Sequence, residues 1–273
     1  MKKIDLIMHL RDLGIKSGDV VMVHISNKAV HPVDCSVDEI IDSFIDIVGE
    51  NGTVIFPTFT FSYCQSRRWS SQNSPSEMGL ITEIFRKRKG VLRSFHPIYS
   101  VAAFGAKAIN YSNCNDVNGV GDNSPFAKLI DDKAKVLAVG VGYNQSFTLG
   151  HHIEWKMKVT YRYNKPFPGE AISSDGNVKF DNYEISVRDI DRGILTDYRK
   201  LGQMLEDLEV VRMGPFGNAE VRLINAEDFN YWVTCWLKDE IPYLMYQDEN
   251  LLDPSRKKDL LESYYEIKKI VKN

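Results

Sequence analysis

The densest group of reactive side chains in the chain is Thr148-Leu-Gly-His151-His152-Ile-Glu154. On a helix, His151 and Glu154 stand three apart and share a face, so the carboxylate can fix the tautomer and orientation of one imidazole. A histidine near a helix N-terminus tends to stay neutral, because the positive end of the helix dipole opposes protonation. Neutral imidazole is the form that a general base needs. His152 is turned by about 100° from His151, which makes the adjacent pair a poor chelate, and no metal is expected. The plainer alternative is a capped helix carrying a solvated histidine and a surface glutamate.

A second cluster, Arg93-Ser94-Phe-His96-Pro97-Ile-Tyr-Ser100, puts a cation, hydroxyls and an imidazole into one proline-containing turn. Such a turn can hold a phosphate or pyrophosphate. It can equally spend its polar groups on its own backbone. The cations Arg86-Lys-Arg-Lys89 either add phosphate affinity or complement the dipole at a helix C-terminus. A third cluster, His24-Ile-Ser26-Asn27-Lys28, follows a β-rich run, and in α/β sheets ligands sit outside the carboxyl ends of strands. His24 alone is equally a core-edge residue with a satisfied ring. Several other signatures are missing. There is no G-x-x-x-x-G-K-[ST], no G-x-S-x-G and no H-E-x-x-H, and Gly140-Val-Gly142 lacks a third glycine.

Positioning these clusters requires alternating strands and helices. Leu6, Leu10 and Leu13 share a helix face that Gly14 can close in the left-handed conformation. Strands are expected over 19–25, 53–56, 100–104 and 135–141. Helices are expected after the capping box Ser36-Val-Asp-Glu39, over Gly79 to Lys89, and after Ser124-Pro125. Residues 62–78 read as a long polar loop. In the second half, Val178 to Arg188 suggests antiparallel strands after the turn Ser174-Asp-Gly176, and Thr196 to Leu208 suggests a helix. Glu209 to Met213 and Ala219 to Ile224 are expected to pair around Gly214-Pro-Phe-Gly217, and Asn225 to cap a helix running to about Asp239. A last amphipathic helix is expected from Asp253, with Tyr264 and Tyr265 available to the core or to a second chain as a homo-oligomer contact. The expected fold class is α/β, a mixed central β-sheet flanked by helices, in a single domain spanning 1–273.

The chain has 273 residues with 34 Lys+Arg against 37 Asp+Glu, a net charge of 34 − 37 = −3. That balance gives no drive toward nucleic acid or an anionic membrane surface. No apolar run reaches the ~20 residues of a transmembrane helix. Four scattered cysteines without a C-x-x-C pair, and an N-terminus that reads as a helix and not a signal peptide, suggest reduced thiols and a cytoplasmic location.

Taken in order, the clusters resemble the aminoglycoside N3-acetyltransferase family. The stretches that carry the resemblance are Gly18-Asp-Val-Val-Met-Val-His24-Ile-Ser26-Asn27-Lys28-Ala-Val30, Gly52-Thr-Val-Ile-Phe-Pro57-Thr58-Phe, and Met78-Gly79 leading to Arg93-Ser94-x-His96-Pro97-x-x-Ser100. Ser124-Pro125, Thr148, His151-x-x-Glu154 and Gly217-x-Ala219-x-x-Arg222 follow. The resemblance implies acyl transfer from an acyl-coenzyme A (acetyl-CoA or a short hydroxyacyl-CoA) to a sugar amine, with no metal. It implies His151 as general base and Glu154 as its orienting carboxylate. It implies coenzyme contacts from His24, Ser26, Asn27, Lys28, Arg93, Ser94, His96 and Ser100, and acceptor contacts from Thr58, Ser124, Thr148 and His152. The chain departs from the family pattern at Ile25 and Asn27, where the family carries serine and leucine, and at the extra His152. Cations bunched between Arg67 and Arg93 suggest phosphates in both ligands. The expected acceptor is therefore a nucleotide-linked, dTDP-type amino sugar of the kind acylated in anthrose biosynthesis. The alternatives are an aminoglycoside acceptor, a non-catalytic acyl-CoA-binding protein, or a thioester hydrolase.

Overall fold

The computed structural model describes residues 1–30, 33–192 and 194–238. The helix expected from Asp253, with Tyr264 and Tyr265, lies outside the described residues. Ten strands are described: β1 (Val20–Ile25), β2 (Thr53–Pro57), β3 (Arg68–Ser70), β4 (Leu92–Arg93), β5 (Val101–Gly105), β6 (Lys135–Val139), β7 (Arg162–Ile172), β8 (Val178–Arg188), β9 (Arg212–Phe216) and β10 (Ala219–Asn225). Seven form a sheet in the order β4-β5-β2-β1-β6-β10-β9. Its centre is parallel, with β1 between β2 and β6, and both flanks are antiparallel. The expected mixed α/β sheet is thus the architecture found.

β1 is buried along its whole length, as central strands covered by helices on both faces must be. One face packs Leu6, Leu10, Ile40, Phe44, Val21 and Val23; the other packs Met22, Ile55, Val136, Phe126 and Ile153. Local signals fix the covering helices. Ser36 and Glu39 form the reciprocal capping box, Ser124 Oγ accepts from Ala127 N, and Gly14 closes the first helix at φ 103°.

The topology gathers the candidate residues. The parallel strands end at Ile25, Pro57 and Val139, so the segments beginning at Ser26, Thr58 and Gly140 emerge on one edge. β5 runs antiparallel, with Val101 opposite Pro57, and therefore starts on that edge. Ser94 N donates to the Val101 carbonyl there. All three sequence clusters thus lie along the carboxyl edge of the parallel strands, where α/β folds place their ligands.

Three expectations need correction. The stretch 62–78 is not simply a loop: it holds a helical turn, Tyr63–Ser66, and β3, and it buries Tyr63 and Trp69 completely or nearly so. β8 pairs with β7, an eleven-residue strand absent from the sequence reading, in a second sheet of order β3-β7-β8. The inner side chains of this sheet, Phe167, Ala171, Tyr183 and Ile185, join the same core cluster as Met22 and Ile55. The β9–β10 turn falls at Gly217-Asn218, because Phe216 pairs with Ala219 and Gly217 takes φ 63°. Pro215 is tolerated inside β9 because β9 is an edge strand.

Candidate active site

β6 stops at Gly140, which turns at φ 62° and leads through the short helix Tyr143–Ser146 into the helix Leu149–Lys156. His151 lies in the first turn of that second helix. Its Nδ1 is 2.9 Å from Glu154 Oε2, the contact that i,i+3 spacing predicts. The His151 side chain is 17% exposed and that of Glu154 is 0% exposed, so an incoming molecule can reach the imidazole and not the carboxylate. A carboxylate 2.9 Å from a ring nitrogen needs a proton between them, which puts the hydrogen on Nδ1 and leaves the lone pair on Nε2. Burial, followed by the nearby positive charge of Arg162, holds the ring below the ordinary histidine range despite Glu154. This favours the neutral form of His151, in which Nε2 carries a lone pair that can accept a proton.

Two partners come from elements distant in sequence. Arg162, at the start of β7, reaches Glu154 with Nη1 at 3.2 Å, while its Nη2 donates to the Ser186 carbonyl on β8 at 2.5 Å. Tyr198 presents its hydroxyl 2.9 Å from His151 Nδ1 and 3.4 Å from Glu154 Oε2. Neither residue was picked out by sequence reasoning. Arg162 opens the strand that was missed, and Tyr198 precedes an ordinary amphipathic helix, Arg199–Asp207. Glu154 and Arg162, with Asp122, Trp155, Lys156 and Tyr163, also wall a recess of about 500 Å³, within the range of small-molecule sites.

His152 points elsewhere. It is buried, and its Nδ1 lies 2.7 Å from the Val120 carbonyl, to which it donates. Thr148 precedes the helix without a side-chain cap bond, and Ser124 is engaged as a helix cap.

The Arg93 cluster is built inward. Arg93 Nε donates to Ser100 Oγ and Thr58 Oγ1, Nη1 to the Ser71 and Ser74 carbonyls, and Nη2 to the Thr58 carbonyl and Thr60 Oγ1. The guanidinium lies 4.9 Å from the Trp69 ring centroid, and burial brings its pKa down to about 9. Ser94 Oγ accepts from Val101 N. His96 Nδ1 accepts from Ile98 N and Tyr99 N, and Nε2 donates to the Val117 carbonyl. In this turn the polar groups serve the protein's own backbone. Among the other cations, Arg86 and Lys87 pair with Glu83, Arg88 with Asp38 and Asp42, and Arg68 with Glu170, while Arg67 lies over the Phe167 ring with its Nη1 buried and without a hydrogen-bond partner among the described residues. Most of the positive charge between Arg67 and Arg93 is thus already engaged within the protein. In the first-strand cluster, His24 is buried on β1 and Lys28 is exposed. Ser26 N donates to the Val139 carbonyl, tying that segment to β6. Asn27 Oδ1 is buried with no hydrogen-bond partner among the described residues, which leaves an acceptor open for a ligand N–H.

The buried imidazoles make stability depend on acid. Burial lowers both His24 and His96 from 6.5 to about 4. Between those values the unfolded chain binds protons that the folded chain refuses, so stability rises with pH through that window and is lost as pH falls through it. Each depression of that size corresponds to about 3 kcal/mol. Urea unfolding should show a steep fall in stability from pH 7 to pH 4.5; an unchanged midpoint over that range would refute it.

The family model described as aminoglycoside 3-N-acetyltransferase matches residues 22–238. The SPbeta prophage-derived aminoglycoside N(3')-acetyltransferase-like protein YokD of Bacillus subtilis (strain 168) is 27% identical over 243 residues, covering 80% of this chain and 86% of that protein. Among solved structures, AAC-VIa bound to sisomicin superposes with a TM-score of 0.73 at 26% identity, over 87% of this chain and 97% of that one. AAC-IIIb in binary complex with CoASH gives 0.75 at 25% identity, over 87% and 96%.

Proposed function

Because the chain belongs to the aminoglycoside 3-N-acetyltransferase family and is therefore an acyl-CoA-dependent N-acyltransferase, we propose that His151 is its general base and that an amino group of an aminoglycoside is its acceptor. The observation that carries the base assignment is the 2.9 Å contact between His151 Nδ1 and the fully buried Glu154. It holds the proton on Nδ1 and leaves the lone pair on Nε2. The acceptor amine attacks the thioester carbonyl carbon as Nε2 takes one of its protons. The C–N bond forms, the C–S bond breaks, and coenzyme A leaves as the thiolate, which then takes up a proton. The thioester is already activated, so no covalent enzyme intermediate is needed. The donor is acetyl-CoA or a short hydroxyacyl-CoA, held in part by the segment Ser26–Lys28, with the open Asn27 Oδ1 meeting a pantetheine amide. Residues 1–273 act as one N-acyltransferase domain.

The sisomicin complex of a 26% identical neighbour supports an aminoglycoside acceptor. The pairing of Arg68, Arg86, Lys87 and Arg88 with carboxylates weakens the ground for expecting a nucleotide-linked sugar. The test is thiol release from acetyl-CoA and hydroxybutyryl-CoA with a panel of aminoglycosides and of dTDP-linked amino sugars. Turnover with an aminoglycoside is expected. Turnover confined to the dTDP sugars would overturn the acceptor, and release that needs no amine would overturn transfer in favour of hydrolysis.

A further inference from the structure

A base held by one carboxylate needs no third group, yet Tyr198 places its hydroxyl against both. Its Oη lies 2.9 Å from His151 Nδ1 and 3.4 Å from Glu154 Oε2. The approach is built rather than incidental. The Tyr198 ring is buried against Phe147. Its backbone is pinned by Asn144 Oδ1, which accepts from Tyr198 N at 2.6 Å, and by Gly202 N, which donates to its carbonyl. The residue before His151 is Gly150, where a Cβ would sit 3.1 Å from Oη.

Two proton arrangements are conceivable for these three polar atoms. If Tyr198 donated to Nδ1, the imidazole proton would move to Nε2. The Nδ1–Oε2 contact would then bring a lone pair against a buried carboxylate with no hydrogen between, and the base nitrogen would be blocked. If Nδ1 carries the proton, it donates to Glu154, Tyr198 donates to the same carboxylate oxygen, and the tyrosine oxygen turns a lone pair toward Nδ1–H. Only this second arrangement gives each short contact a hydrogen. We propose that Tyr198 is a positioning residue that holds the His151 proton on Nδ1, and so keeps Nε2 open as the base; this rests on His151 being that base. The other charged groups acting on His151 are Glu154 from its own helix, Arg162 from β7 and Arg188 from β8, and none of them supplies a hydroxyl that can both donate and accept.

The test is Tyr198→Phe, which keeps the buried ring, read by steady-state kinetics and by ¹⁵N NMR of histidine-labelled protein. Loss of one hydrogen bond of this kind should lower kcat roughly tenfold, with KM for both substrates unchanged, and should raise the fraction of His151 protonated on Nε2. Gly150→Ala, which crowds the hydroxyl and leaves it in place, should move kcat and the tautomer in the same direction by less. An unchanged tautomer with kcat within about twofold of the parent would overturn the proposal, as would a rise in KM at constant kcat. The NMR readout does not depend on turnover. A His151 variant that stayed active would sink the base assignment, whereas an unmoved tautomer in Tyr198→Phe would sink the role of Tyr198 alone.

Discussion

His151→Asn should lose between about 10² and 10⁴ in kcat, the range that general base catalysis contributes, while its melting temperature and its KM for acyl-CoA stay near the parent values. Asparagine suits the test because its amide can still meet Glu154 Oε2 and so avoids leaving a buried carboxylate without a donor. What it lacks is a second nitrogen at the reach of Nε2. An amino-sugar acceptor is mostly ammonium at neutral pH and attacks only as the free amine. Without His151 the residual rate should climb with pH as the amine deprotonates in solution, replacing the acid limb that titration of His151 gives the parent. His151→Ala should show the same pH behaviour with a larger structural cost. Near-normal kcat in both variants would remove His151 from the chemistry and shift attention to the recess near Trp155 and Tyr163.

The half of this site that is local in sequence was legible in sequence. His151 and Glu154 share a helix, so spacing alone predicts their contact, and their place after β6 follows from the strand-then-glycine pattern. The capping box at Ser36 and the Ser124-Pro125 helix start were readable for the same reason: each is complete within four residues. Tyr198 and Arg162 were not readable, because their meaning arises only when the β7–β8 hairpin and the segment before Arg199 fold onto the Leu149–Lys156 helix. β7 was hidden further by Pro166 and Pro168, which normally argue against a strand. They fit here because β3 pairs only with Glu170–Ile172, so β7 has β8 alone as a neighbour where the prolines fall. The cation-rich stretch misled for a related reason: composition counts charges but does not reveal that Asp38 and Asp42 arrive from another helix to neutralise Arg88.

Arg162→Met is expected to cost about 3 kcal/mol of stability or more, the usual penalty for removing one partner of a buried ion pair. It should also change the chemistry in a direction that a purely structural defect would not. Arg162 and Glu154 are both almost wholly inaccessible, 5% and 0% exposed, so the carboxylate keeps its charge in a poorly solvating place with the guanidinium 3.2 Å away. Glu154 by itself would strongly favour the imidazolium form of His151. Burial opposes that most strongly, and the positive charge of Arg162 adds to it, so the ring stays below the ordinary histidine range. Removing the cation should therefore raise the pKa of His151. The acid limb of the kcat/KM profile should move to higher pH, and activity at pH 6 should fall more than activity at pH 8. Arg162→Lys keeps the charge but loses the planar fork that also holds the Ser186 carbonyl. It should restore the position of the limb while recovering only part of the stability. A Met variant with reduced stability and an unshifted limb would show that Arg162 only braces the β7–β8 hairpin. A shifted limb that Lys restores would show that the charge of Arg162, carried in from the second sheet, tunes the proton affinity of a base on the Leu149–Lys156 helix.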